Sequence, residues 1–246
     1  MEILVLKVVL TPALIAAASL AARRWGHAVS GWLVGLPLTS GPIAFFLALE
    51  RGTSFAAVAA VGSLAGAIAE TAFCVAYAGV AARARRGQRG VRGRRRRLPA
   101  TGVVDGDRGR GACVSLVIAL RFVPRGAGRA AMPSPPRWDL PARMIIATAL
   151  VLVITELAPA IGPRWSGVLA TFPVYAAILT VFAHRGSVAA AVEVLRGLLL
   201  GLFAFAAFFV ILGALIERAG VATAFAAAIL SALAIQAASF ALAVRS

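Results

Sequence analysis

"SGWLVGLPLTSGPIAFFLALERG", residues 30–52, decides how this chain is read. It is as apolar as a bilayer-spanning helix, yet its middle carries Gly35, Pro37, Gly41 and Pro42, residues that break helices. Interrupted backbone at membrane depth is tolerated only where it is buried in protein or lines a polar cavity. The segment is therefore either a poor membrane helix or a deliberately broken one, and the surrounding sequence has to decide.

The chain is 61% apolar with a mean hydropathy of +0.92, far beyond a soluble domain. Apolar runs lie at about 3–22, 28–49, 54–82, 143–162, 165–183, 188–215 and 221–244. Several reach the ~20 residues that cross ~30 Å of hydrocarbon. The expectation is an all-α polytopic bundle of about seven spans, embedded in the lipid bilayer. The N-terminal run lacks a basic leader and is followed by Arg23 and Arg24, so it reads as a first membrane helix rather than a signal peptide. Connectors are short and contain Arg and Gly: "RRWGH", "ERGT", "GPRW", "HRGS" and "ERAG".

The net charge of +16 is localised. Lys7 is the only lysine, and fifteen arginines lie between Arg83 and Arg137. The stretch 83–142 is rich in Arg, Gly and Pro without hydrophobic periodicity, and reads as a disordered basic loop between two membrane halves, 1–82 and 143–246. Within it, "ACVSLVIAL" (112–120) is apolar but too short to span. Such a cluster beside a span is expected to act as a cytoplasmic retention signal or as a contact for anionic lipid. With no interleaved aromatics it does not read single-stranded nucleic acid, and no nucleic-acid partner is expected. The positive-inside rule then places the N-terminus outside and the C-terminus in the cytoplasm.

The halves are related. Ser30-Gly31 answers Ser166-Gly167, Pro37 answers Pro173, Arg51-Gly52-Thr53 answers Arg185-Gly186-Ser187, and "GSLAG" (62–66) answers "GLLLG" (197–201). The last apolar run, 221–244, calls for a counterpart near 86–109, where the Arg-rich stretch stands instead. Central arginines cost at least ~2.5 kcal/mol each in a membrane helix. Either the first half lost a helix and gained a loop, or the stretch is read out of frame from a G+C-rich gene. As written, the halves are inverted, a pattern found in many transporters.

The stretch "FPVYAAILTVFAHRG" (172–186) resembles the signature region of small GlpM-type bacterial inner-membrane proteins at Phe172, Pro173, Ile178, Leu179 and His184. The first half matches more faintly, with Leu36 and Glu50 in place of Phe and His. The resemblance implies a tandem, duplicated relative in the inner membrane, connected with envelope or exopolysaccharide production rather than with a defined reaction.

Polar groups at membrane depth are the pointers to chemistry. Glu70 and Glu156 fall within apolar runs and are candidate proton- or cation-coupling carboxylates; the bland reading is a packing hydrogen bond and an interfacial residue. The paired proline segments suggest a substrate pathway formed by Pro37, Thr39, Ser40, Gly41 and Pro42 with Phe172, Pro173 and Tyr175; the bland reading is two absorbed kinks. Lys7 is expected to snorkel to the interface. The Gly62/Gly66 and Gly197/Gly201 pairs are expected to let helices approach closely. No metalloprotease, hydrolase, P-loop or dinucleotide motif is present, Cys74 and Cys113 have no metal-type spacing, and no metal, cofactor or enzymatic activity is expected. The leading function is a small-molecule or ion transporter; the rival is a non-transporting scaffold for envelope or exopolysaccharide assembly, and a homo-oligomer is compatible with either.

Overall fold

The computed structural model describes residues 2–25, 37–88, 116, 138–171 and 188–245. Among them are five helices and no strand: α1 (Glu2–Trp25), α2 (Ser40–Arg51), α3 (Thr53–Gln88), α4 (Asp139–Ala170) and α5 (Val188–Arg245). Among the described residues three stretches are long and apolar enough to cross a membrane: Thr53–Val80, Leu140–Ala170 and Leu195–Ala238. Seven spans were expected; the described residues carry three such stretches, two of them bent at an internal glycine. The connectors "GPRW" and "ERAG" each hold a single non-helical glycine, Gly162 in α4 and Gly220 in α5, where two helices meet across a kink. On either side of Gly220 the rings of Phe208 and Phe225 stand 5.9 Å apart, too close for one unbroken helix. The run 28–49 is helical only from Ser40 onward within the described residues, and α2 is 12 residues long. Helix α1 is 24 residues long, with Pro12 inside it.

Of the breakers in the opening segment, Pro37, Gly41 and Pro42 prove to be starters; Gly35 lies outside the described residues. The Gly41 N–H donates to the Pro37 carbonyl (2.8 Å) and the Ile43 N–H to the Thr39 carbonyl (3.2 Å), so helix-type bonding begins at Pro37. Pro42 lies in the first turn of α2, where backbone N–H groups have no intrahelical partner and a missing one costs little. Thr39 occupies the N-cap without a side-chain capping bond.

Gly52 joins α2 to α3 without a loop. Its N–H donates to the Ala48 carbonyl (3.2 Å), ending one helix, and its carbonyl accepts from the Ala56 N–H (3.2 Å), starting the next. Its φ of 88° with ψ of 168° lies where glycine alone is at ease. Gly162 (φ 77°, ψ 167°) and Gly220 (φ 77°, ψ 173°) repeat the same conformation.

Two apolar cores organise the packing. The larger joins α3 to α5 through Leu64, Cys74, Leu195, Leu199, Phe205, Phe209 and Leu212. Gly213, late in the first leg of α5, lies against Ala57 and Ala60 at the beginning of α3. The smaller joins α2 to α4, with Ile43, Phe46 and Leu47 against Val151, Ile154 and Ala158. Two boundaries of the basic stretch move. Helix α3 runs on to Gln88 and α4 begins at Asp139, so both ends of 83–142 are helical rather than disordered. Leu116, from the short apolar run, is helical and 1% exposed within the larger core. The stretch is therefore not a loop excluded from the bundle throughout; residues 89–115 and 117–137 lie outside the described residues.

Candidate functional site: a buried ion pair between three helices

Helix α1 is inside out by the standards of a soluble protein. Ile3, Leu4, Val5, Leu6, Val8 and Val9 are all exposed, while Lys7, Thr11 and Ile15 form a buried stripe. Their spacing of four residues places them on one helix face. Such an arrangement suits a helix whose outer surface meets lipid and whose polar groups turn toward protein.

Lys7 is 1% exposed, and its position corrects the expectation that it snorkels. Its Nζ lies 2.6 Å from Glu50 Oε1 and donates to Thr155 Oγ1 at 2.8 Å. Thr155 is free to accept because its own hydroxyl proton is directed to the Val151 carbonyl (2.8 Å). The ring of Phe46 stands one turn before Glu50 on α2, with its centroid 5.8 Å from Nζ. A lysine from α1, a carboxylate and an aromatic from α2 and a hydroxyl from α4 thus converge on one point. Thr11, one turn beyond Lys7, is fully buried, and its hydroxyl has no hydrogen-bond partner among the described residues. Glu50 retains 21% side-chain exposure, so the cluster is closed on the lysine side and open on the carboxylate side.

The residues singled out from sequence fall into separate places. Ser40, Gly41 and Pro42 are buried and Pro37 and Thr39 half-buried at the entrance to α2, on the helix that carries Phe46 and Glu50. Phe172, Pro173 and Tyr175 lie outside the described residues, so nothing is said of their facing the first set. Thr171, beside Phe172 in the sequence, bonds the carbonyls of Gly167 (3.0 Å) and Ser63 (3.3 Å). Glu70 is buried in α3 one turn from Cys74, without an ion pair or hydrogen bond among the described residues. It stands seventeen residues past Thr53, about 26 Å of helix at 1.5 Å per residue, so it belongs to a different level from Glu50. Glu156 is exposed on the outer surface of α4 beside the exposed Val153 and Leu157, and joins neither group.

Sequence reasoning missed Glu50, which reads as part of a connector. The available signal was the lysine: a single Lys among twenty-four Arg, set inside an apolar helix with Thr one turn on. Lys is the cation that suits a compact buried site, because its ammonium is a point charge on a flexible stem.

Gly62 and Gly66 do permit a close approach. A Cβ on Gly62 would collide with the Arg164 carbonyl, one on Gly167 with the Ala59 carbonyl, and one on Gly66 would stand 2.7 Å from the Thr171 Cβ. Ser63 Oγ donates to the Gly167 carbonyl across this contact (3.2 Å). At Gly197 an added Cβ would meet nothing within 4 Å, so the repeat does not carry the close contact there.

No protein-family model, curated protein or solved structure matches the chain.

Proposed function

We propose that this chain is an integral protein of a bacterial cytoplasmic membrane that carries a small solute or ion, with the Lys7–Glu50–Thr155 cluster as the ionic part of its pathway. One observation supports this above all: a charged pair is held between three apolar helices, closed on one side and partly open on the other. Burying an ion pair is a poor way to gain stability, since apolar residues of similar size usually do as well or better. Ionisable groups inside apolar helices more often mark the route of an ion or solute. Pro37–Pro42, at the entrance of α2, line the approach on this reading, and Glu70 is a second carboxylate deeper along α3. The arginine cluster faces the cytoplasm by the positive-inside rule.

The test is flux into proteoliposomes of the full chain, loaded with a pH-sensitive dye and exposed in turn to gradients of sodium, potassium, chloride and methylammonium. The wild type should dissipate at least one gradient faster than protein-free vesicles, and Glu50→Gln should slow that flux by about tenfold or more. A wild type indistinguishable from empty vesicles with every gradient would leave the scaffold reading in its place.

A further inference from the structure

Set Lys7 aside, and what remains around its Nζ is a carboxylate, the Thr155 hydroxyl oxygen and the face of Phe46, with the unpartnered Thr11 hydroxyl one turn away. None of these groups is cationic. An ammonium offers three N–H donors and no acceptor, and it is drawn to the face of an aromatic ring. The set therefore matches a protonated primary amine: oxygens for its N–H donors and a ring for its remaining charge. Lys7 supplies one to this site from within the chain.

Thr11 gives the site a second resting place. It lies four residues along the same buried stripe as Lys7, within reach of a side chain that long, and its oxygen is unsatisfied in the state observed. A lysine that released Glu50 would find a hydroxyl there while Glu50 received another cation. The partial exposure of Glu50, against the near-complete burial of Lys7, marks the side from which that cation would enter.

We infer that the Glu50–Thr155–Phe46 pocket is a primary-ammonium site, that Lys7 is its tethered occupant, and that a small protonated amine displaces Lys7 from Glu50. The identity of the carried solute rests on the transport reading above; the pocket's selectivity does not. A tethered ligand acts at an effective concentration in the millimolar range, so a free amine competes weakly with Lys7 and binds openly once Lys7 is removed.

The experiment is chemical rescue of the purified full-length protein in detergent, followed by thermal unfolding. Lys7→Ala should lower the melting temperature by several degrees. Ethylammonium chloride at tens of millimolar should restore at least half of that loss. Sodium and tetramethylammonium chlorides should not, because neither has N–H donors. Lys7→Ala combined with Glu50→Gln should show no rescue. If Lys7→Ala does not survive solubilisation alone, the yield of monodisperse protein with and without ethylammonium is the same readout. Absence of rescue in either form, equal rescue by tetramethylammonium, or rescue persisting without the Glu50 carboxylate overturns the inference. Flux of another cation without amine rescue would sink the ammonium site and leave transport standing. Rescue without any flux would do the reverse.

Discussion

At the scale of single residues, the buried lysine shows how context decides what a charge does. Removing one partner of a buried ion pair leaves the other uncompensated, which costs about 3–5 kcal/mol, whereas replacing both with apolar groups is often neutral. Glu50→Gln should therefore destabilise the protein more than Lys7→Met combined with Glu50→Leu, and chemical denaturation of the two variants side by side measures the difference. An equal loss in both would show that the pair contributes through packing alone. Glu70 behaves differently because no cation among the described residues faces it. Glu70→Gln keeps the shape and removes the charge, so stability should hold or rise while flux falls if the carboxylate couples transport; a melting curve and a flux assay on one preparation separate the two. The Lys7–Glu50 pairing was not legible in the sequence. That Lys7 is unusual follows from composition, but its partner lies forty-three positions away, and helical periodicity relates only neighbours on one element.

At the scale of elements, glycine does two distinct jobs, and the sequence distinguishes them only in part. The "GSLAG" spacing announces a close helix contact, and α3 makes one, but its other side is Arg164, Gly167 and Thr171 of α4 rather than a second spaced pair. Gly167→Ala should be severe, since its Cβ would strike a backbone carbonyl that no rotamer can move aside. Overpacking of this kind costs about 1–3 kcal/mol or more. Gly197→Ala, with open space around it, should be neutral or mildly stabilising through helix propensity. The pair of melting temperatures tests whether repetition of a motif implies repetition of its contact. Gly52 does the second job. Nothing lies within 4 Å of an added Cβ, so Gly52→Ala would meet no clash and bear only the strain of φ 88°, about 1–3 kcal/mol. Gly162 and Gly220 share that conformation and that open space, and should respond alike. All three stand at connectors read from the sequence, "ERGT", "GPRW" and "ERAG", where one helix gives way to the next.

At the scale of the whole molecule, the helical class was legible because apolar runs of this length have no other use, while the fate of the Arg-rich stretch was not. Arginine density argued that 83–142 stays outside the bundle, and composition cannot show that a short apolar run within it returns. Leu116 does return, packed in the core shared by α3 and α5. That single residue bears on whether the stretch belongs to the protein or is a reading-frame accident. An accidental sequence has no reason to place a leucine at 1% exposure among the side chains of two long helices. Leu116→Ala should then cost about 2–5 kcal/mol, the usual loss for truncating a fully buried leucine. Deleting 91–107, which contains no apolar run, should leave the melting temperature within a degree or two of wild type, because a polar segment without a hydrophobic face has little to bury. Both variants unfold by the same assay in the same detergent. A neutral Leu116→Ala would mean that the core closes without this stretch, and the search for the missing fourth helix of the first half would begin again from the gene.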